Sequence, residues 1–507
     1  MAVSLSFAGA TKLARRPWVL AILGGVVWGL CFGREAWTVA PWMALVPLFL
    51  VLELGGRRAV WLAYGHGVAF WLTSFSWVVP TIETYGQLPI WLAVPLFVLL
   101  CFYLGSFAGI FGWLGAPLWR RGGWMAWAGL PALWVAVEWL RAHYLMNGFP
   151  WNLAAYAWSE MPGALPLAAW IGAYGVSFVL VFANVGIARS LVRREWRPGV
   201  VSILGCLLLL AAAGRFRVVT HDPAPGQGLP VRLLQPNITN LVAWDEQLVR
   251  QNYSKVLSWS ESACDLPGAL VVWPESAAWP FAYDRDAELR ADLDALAAAG
   301  CPILFNSTSE TEGLLYNSVL LLGAQGLAGR YHKRHLVPFG EYVPTGRWLP
   351  FIDKLARNAG DFSAGREPML LPWGEEWLGA AVCFEVVFPF EVAATVRQGA
   401  TLLVTVTNDA WYGDTAAPWQ HYRAARFRAA ESRRFLLRAA ITGVSGLIAP
   451  DGSVVSQLDV GEEGVIRGVV VPRRDLSPYT RAPWLIPLLC VLVAGFAILG
   501  SRGAKRS

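Results

Sequence analysis

Three side chains in the second half of the chain have types that do chemistry together: the thiol of Cys383, the carboxylate of Glu275 and the ammonium of Lys333. Cys383 closes the apolar run Ala380-Ala381-Val382, which reads as a buried strand. Glu275 stands just past the run Val271-Val272-Trp273-Pro274, and Lys333 follows Tyr331-His332 at the end of a further strand. A lone cysteine ordinarily packs as a small hydrophobe, and a lone Glu or Lys at a strand end is ordinarily solvated. Strand ends converge on one edge of a sheet, so the three together point to a site. A free thiol of pKa ~8.5 is only a few per cent thiolate at neutral pH. A glutamate raised in pKa by burial serves as its general base. Lys333 then favours the thiolate and the oxyanion of a tetrahedral intermediate, with the backbone N–H of Phe384 as a second donor.

The elements that must position these groups begin at Pro230. Strands are expected at 231–234, 269–273, 302–305, 315–322, 327–332, 378–383, 401–407, 436–442, 445–449, 454–458 and 465–471. Helices are expected at 244–263, 284–299, 389–398 and 419–434, with a long irregular loop over 333–371. Alternating strands and helices followed by a run of strands describe an α/β sandwich domain over 215–482.

The rest of the chain is apolar. Of 507 residues 56% are hydrophobic and 15% charged, against about 25% charged in an ordinary soluble chain; mean hydropathy is +0.45. Stretches near 17–33, 36–54, 59–79, 90–118, 123–140, 164–188 and 199–214, and an eighth near 483–500, approach the ~20 residues of a membrane span. The expected organisation is thus seven helices over 1–214, the α/β domain, and an eighth helix with a tail over 483–507. Lys and Arg fall in alternate short connections: fourteen on the side of both termini against Arg34 and Arg141 on the other. The positive-inside rule then puts both termini in the cytoplasm and 215–482 outside it. The net charge of +6 is therefore no nucleic-acid signal. Glu138, Arg141 and His143, followed by Asn147-Gly148-Phe149-Pro150-Trp151, read as an interfacial loop in water or as part of a substrate pathway. The seven cysteines contain no CxxC pair and the six histidines no metal-ligand spacing, so neither a metal nor a cofactor is expected.

The motifs around the three residues resemble the nitrilase superfamily. They are Val271-Val272-Trp273-Pro274-Glu275, Tyr331-His332-Lys333 with His335-Leu336-Val337-Pro338-Phe339-Gly340-Glu341, and Val382-Cys383-Phe384-Glu385. Gln235-Pro236-Asn237, Tyr316-Asn317-Ser318 and Thr407-Asn408-Asp409-Ala410-Trp411-Tyr412-Gly413 extend the match. With apolar spans on both sides, the whole chain resembles the apolipoprotein N-acyltransferases of the Gram-negative inner membrane. The resemblance implies an αββα sandwich facing the periplasm on eight helices. It implies that Cys383 takes the sn-1 acyl chain of a phospholipid, typically phosphatidylethanolamine, as a thioester. The chain then passes to the α-amino group of an S-diacylglyceryl-cysteine at a lipoprotein N-terminus. Glu275 would be the base, Lys333 the oxyanion partner and Cys383 the nucleophile, supported by Glu341, Glu385, Trp244 and Asn317. Family members often carry tyrosine where this chain has Phe384, which removes any role for a phenol hydroxyl there.

Two rival readings share the residues. In a membrane-tethered amidase or nitrilase, water would take the acyl group from Cys383. An inactive transporter or lipid-binding scaffold would be expected to lack one of the three groups, and none is missing. Gly443-Val444-Ser445-Gly446 is no serine nucleophile elbow, because its first glycine is one residue too close. Apolar residues at 348–355, including Trp348 and Phe351, suit either a lid that dips toward lipid or packing onto the domain. Cys264 and Cys301 each precede an expected strand and form a disulfide if those strands are neighbours.

Overall fold

Strand β1 (Leu229–Gln235) is buried from Val231 onward, as a strand between two covered faces must be. It pairs in parallel with β2 (Leu270–Val272), which pairs in parallel with β3 (Ile303–Thr311). The antiparallel strands β4 (Leu314–Gly323) and β5 (Gly326–His332) follow. A second sheet holds β6 (Leu370–Trp373), β7 (Glu376–Val382), β8 (Leu402–Thr407), β9 (Leu436–Ala440), β10 (Ser445–Ile448) and β11 (Val454–Leu458). Strand β12 (Gly464–Val470) returns to pair with β1, giving the orders β12-β1-β2-β3-β4-β5 and β11-β10-β9-β8-β7-β6. A computed structural model of the chain describes residues 16–144, 147–216, 228–239, 245–342 and 361–503.

The two sheets meet face to face. Val231, Leu233, Leu270 and Val272 of one pack with Leu378, Ala380, Leu402, Val404 and Leu437 of the other. Behind the first sheet, Tyr253 and Val256 of helix Glu246–Ala263 and Leu289 and Leu293 of helix Ala287–Ala298 pack onto Val271, Trp273, Ile303 and Phe305. Asp245 and Asp286 cap these helices by accepting from Leu248 N–H and Leu289 N–H, which satisfies donors the first turn leaves free. Helices Pro389–Arg397 and Ala417–Ser432 contact the second sheet through β7 and β9. The layers are therefore helix, sheet, sheet, helix. Strand β6 begins at the end of what the sequence reads as a loop over 333–371 and is not among the expected strands: it is a four-residue edge strand containing Pro372, a residue that edges tolerate and propensity disfavours. Strands β2 and β3 are neighbours, and Cys264 and Cys301 are joined as a disulfide.

Contacts divide the chain into a unit of 1–79, 91–216 and 484–507 and a second unit of 80–90 and 217–483. In the first, each of the eight apolar stretches contains helix. Four described helices, Ile90–Arg121, Ala164–Arg193, Arg197–Arg215 and Leu485–Arg502, are long and apolar enough to cross a membrane, rather than the eight expected. The stretch over 36–54 breaks into a turn, Ala40–Trp42, and a seven-residue helix, Val46–Leu52. Pro41 and Pro47 interrupt it, since each lacks the N–H a continuous helix needs. The stretch over 123–140 becomes a π turn, Met125–Gly129, and helix Leu130–His143. Glu138 and Arg141 on that helix are buried rather than bathed in water. Arg141 Nη1 donates to Phe149 O (2.8 Å) and Trp151 O (2.7 Å), and Ala154 N–H donates to Glu138 Oε1 (2.7 Å).

Candidate active site

Parallel strands deliver their C-terminal ends to one edge, where ligands of open α/β sheets bind. Glu275 lies three residues past β2, Lys333 directly follows β5, Cys383 directly follows β7 and Asn408 directly follows β8. All four are buried; Lys333 is 1% exposed and Cys383 7%.

Cys383 opens the 3-10 turn Cys383–Val387 with φ +52°. That left-handed backbone is uncommon outside glycine and marks a position held by its surroundings. Two clamps hold it. Glu385 Oε2 accepts from Val382 N–H at 2.7 Å, while its Oε1 accepts from Arg334 N–H at 2.7 Å and His335 N–H at 3.1 Å. Tyr331 OH donates to the same carboxylate at 2.9 Å. Glu385 thus ties the cysteine turn to the chain just past Lys333. On the other side, His421 Nε2 stands 3.0 Å from Cys383 O, and a carbonyl only accepts, so Nε2 carries the hydrogen. In the neutral ring Nδ1 then accepts from Arg438 Nη2 (3.1 Å). Arg438 also donates to Asp409 Oδ2 at 2.7 Å, and Thr407 Oγ1 donates to Asp409 Oδ1 at 2.7 Å. Burial lowers the His421 pKa, and Arg438 lowers it further, which keeps the ring in this neutral form. A Cβ on Gly443 would overlap the Asp409 carboxylate, so that turn requires glycine.

The charged centre is organised by Asn317. Its Nδ2 donates to Glu275 Oε1 (3.0 Å) and Glu341 Oε1 (2.8 Å). Its Oδ1 accepts from Asn306 Nδ2 (2.6 Å), which fixes the orientation of the amide. Lys333 Nζ donates to Glu341 Oε1 at 2.9 Å, lies 2.8 Å from Glu341 Oε2, and stands 3.9 Å from Glu275 Oε1. Glu341 Oε2 accepts from Val337 N–H (2.8 Å), and Glu275 Oε2 from Asn408 N–H (2.8 Å). Burial pushes the Glu275 pKa up; Lys333, Asn317 and Asn408 oppose that, and Glu341 adds to it. Burial alone would lower the Lys333 pKa, but Glu341 and Glu275 outweigh it and hold the ammonium charged. Burial and the Glu275 carboxylate push the Cys383 thiol up to about 12, with Lys333 pulling the other way. The resting arrangement is therefore a neutral thiol with a carboxylate and an ammonium in its electrostatic field. A proton leaves the sulfur most readily as the sulfur forms a new bond, with Glu275 as acceptor.

The structure thus brings Glu275, Lys333, Cys383, Glu341, Glu385 and Asn317 into one cluster, in which Glu341 and Asn317 are half-buried and the others buried. Phe384, 6% exposed, packs its ring against His335 and Phe388. Trp244, Trp348 and Phe351 lie outside the described residues. Among the described residues no group of three or more His, Cys, Asp or Glu is placed to hold a metal ion. Sequence reasoning missed Asn306, Asn408, Asp409, His421 and Arg438 as members of the site. Two signals were available: Asn408 and Asp409 lie in the motif Thr407-Asn408-Asp409-Ala410-Trp411-Tyr412-Gly413, and Arg438 is a charge inside an otherwise apolar strand.

Two family models match: the apolipoprotein N-acyltransferase N-terminal domain over 24–186 and carbon-nitrogen hydrolase over 231–477. A relative from Geobacter metallireducens named apolipoprotein N-acyltransferase is 35% identical, over 97% of this chain and 96% of its own. One from Methylococcus capsulatus with the same name is 33% identical over 96% of each. Among solved structures, Saccharomyces cerevisiae Nit3, a nitrilase-superfamily member, aligns at 17% identity with TM-score 0.38, covering 48% of this chain and 91% of its own. The sequence matches span nearly the whole chain, apolar unit and catalytic unit alike, and the chain belongs to the apolipoprotein N-acyltransferase family.

Proposed function

We propose that the protein transfers an acyl chain from a phospholipid, through a thioester on Cys383, to the α-amino group of the N-terminal S-diacylglyceryl-cysteine of apolipoproteins. The observation that carries this reading is the buried Glu275–Lys333–Cys383 cluster in a chain 35% identical to a named apolipoprotein N-acyltransferase over almost its full length.

In the first half-reaction Cys383 Sγ attacks the ester carbonyl carbon while Glu275 takes the thiol proton. The oxyanion forms beside the Lys333 ammonium and the Phe384 N–H, a preorganised pair. The intermediate collapses by breaking the bond to the glycerol oxygen, which receives the proton from Glu275 and leaves as a lysophospholipid. In the second half-reaction the neutral amine attacks the thioester carbonyl and yields its proton to Glu275. The C–S bond breaks and the thiol is restored. Ester to thioester is near neutral and thioester to amide runs downhill, so no nucleoside triphosphate is needed. Glu341 accepts from Lys333 and from Asn317, and Asn317 also donates to Glu275, so a hydrogen-bonded chain fixes the ammonium and the base relative to one another.

Phosphatidylethanolamine is the proposed donor and the sn-1 chain the one transferred. The basic residues favour cytoplasmic termini and a periplasmic catalytic unit over 215–482 in a Gram-negative inner membrane. Both substrates are anchored in that bilayer. Incubation with acyl-labelled phospholipid and a diacylglyceryl-cysteine peptide tests the reading. It requires labelled N-acyl peptide; labelled free fatty acid with no N-acyl peptide would mark a hydrolase instead.

A further inference from the structure

The segment Pro80–Ile90 packs with the catalytic unit, although it runs directly into the apolar helix Ile90–Arg121. Contacts to Trp411 fasten it. Thr81 Oγ1 donates to Trp411 O at 2.9 Å, and the Tyr85 ring lies against the Trp411 ring with centroids 4.2 Å apart at 33°. Trp411 belongs to the short turn Asp409–Tyr412, which Asn408 caps by accepting from Ala410 N–H. The backbone N–H of Asn408 donates to Glu275 Oε2 at 2.8 Å, and its Nδ2 reaches Ser276 Oγ at 3.3 Å.

The geometry points to Tyr85 and Thr81 as positioning residues for the catalytic base: they hold the Asn408–Tyr412 turn where its leading N–H meets Glu275. The inference rests on Glu275 acting as base, and nothing about the carboxylate itself is changed by it. The turn is only four residues long and its last residues are partly exposed. An external brace is therefore the natural way to keep its N-terminal amide aimed. A hydrogen bond to an ionised carboxylate favours the ionised form. Loosening the turn therefore raises the Glu275 pKa and moves the acid limb of Cys383 reactivity to higher pH.

The test uses the full chain in detergent micelles and reads the rate of Cys383 alkylation by iodoacetamide against pH, by mass spectrometry of the cysteine peptide. This reports the reactivity of the thiol and its base without any acyl donor, so its outcome is separate from whether phospholipid is the substrate. Tyr85→Ala, a change at a partly exposed ring, is expected to raise the acid limb by about one pH unit. Tyr85→Phe keeps the ring contact and is expected to return the parent profile. Trp411→Leu is expected to move the limb in the same direction, with an unchanged thermal transition as the control for folding. An unshifted limb in folded Tyr85→Ala would overturn the inference. So would a Tyr85→Phe variant as impaired as the alanine.

Discussion

Lys333 and Glu341 form a buried ion pair, with Nζ 2.8 Å from Oε2 and side chains 1% and 12% exposed. Lys333 stands 3.9 Å from Glu275, so Glu341 carries most of its charge balance by direct contact. A buried charge that loses its partner costs several kcal/mol or moves to a new one. Without Glu341 the ammonium is expected to close on Glu275 and quench the base. Glu341→Gln should lower the rate of acyl-enzyme formation about 100-fold, the scale of losing one preorganised electrostatic contact. Single-turnover kinetics with acyl-labelled phospholipid measure this, and a rate within twofold of the parent would contradict it.

The pH dependence of that same step follows from the environment of Glu275. Burial raises its pKa above the usual carboxylate range, and the base works only when ionised. Acylation should therefore fail on the acid side at a pH above that of a solvated glutamate, ~4.3. Asn317→Leu removes the amide donor to Glu275 and should move that limb further up, by about one unit, while slowing the plateau. A limb that stays in place would mean the Asn317 contact does not act on the carboxylate.

Much of this site was visible in the sequence because each reacting group closes an apolar strand, and apolar runs are what a sequence shows best. Glu275 and Cys383 stand out for that reason. Asn306 does not, because one amide among many carries no periodic signal and its importance lies in partners across the fold. Arg438 was legible as a charge inside the apolar strand 436–442, but its partners Asp409 and His421 come from other elements. The apolar unit taught a different lesson. Composition alone reads 36–54 as one span, while Pro41 and Pro47 divide it. Glu138 and Arg141 read as a loop in water or as part of a substrate pathway, because nothing in the sequence shows that the carbonyls of Phe149 and Trp151 fold back onto the guanidinium.

The Asp409–Arg438 pair behind the nucleophile gives a stability prediction. Burial would raise the Asp409 pKa, but the Arg438 guanidinium, helped by the Thr407 hydroxyl, outweighs it and brings it down to about 2. A carboxylate depressed in the folded state stabilises above its unfolded pKa of ~3.9, and the contribution is lost as pH falls toward the folded value. The shift corresponds to about 2 kcal/mol. Arg438→Met should therefore lower the thermal transition of the catalytic unit at pH 7. It should also displace the Cys383 turn through His421, slowing acylation. An unchanged transition at neutral pH would contradict the pairing.

The disulfide Cys264–Cys301 closes a separation of 37 residues. Loop-closure entropy for that length is worth about 4 kcal/mol, and native disulfides typically contribute 2–4. Cys264→Ser with Cys301→Ser should lower the thermal transition and leave acylation chemistry in place, because neither residue touches the cluster around Cys383. Mass spectrometry without reduction should find the two cysteine peptides linked, and two free thiols there would contradict the bond.

The central claim is that Cys383 carries the acyl chain. Incubation with acyl-labelled phospholipid alone, followed by peptide mass spectrometry, tests it most directly. The account predicts one acyl mass on the Cys383 peptide, labile to hydroxylamine, absent in Cys383→Ala and discharged as N-acyl product when a diacylglyceryl-cysteine peptide is added. A labelled acyl-enzyme that persists in Cys383→Ala would contradict it.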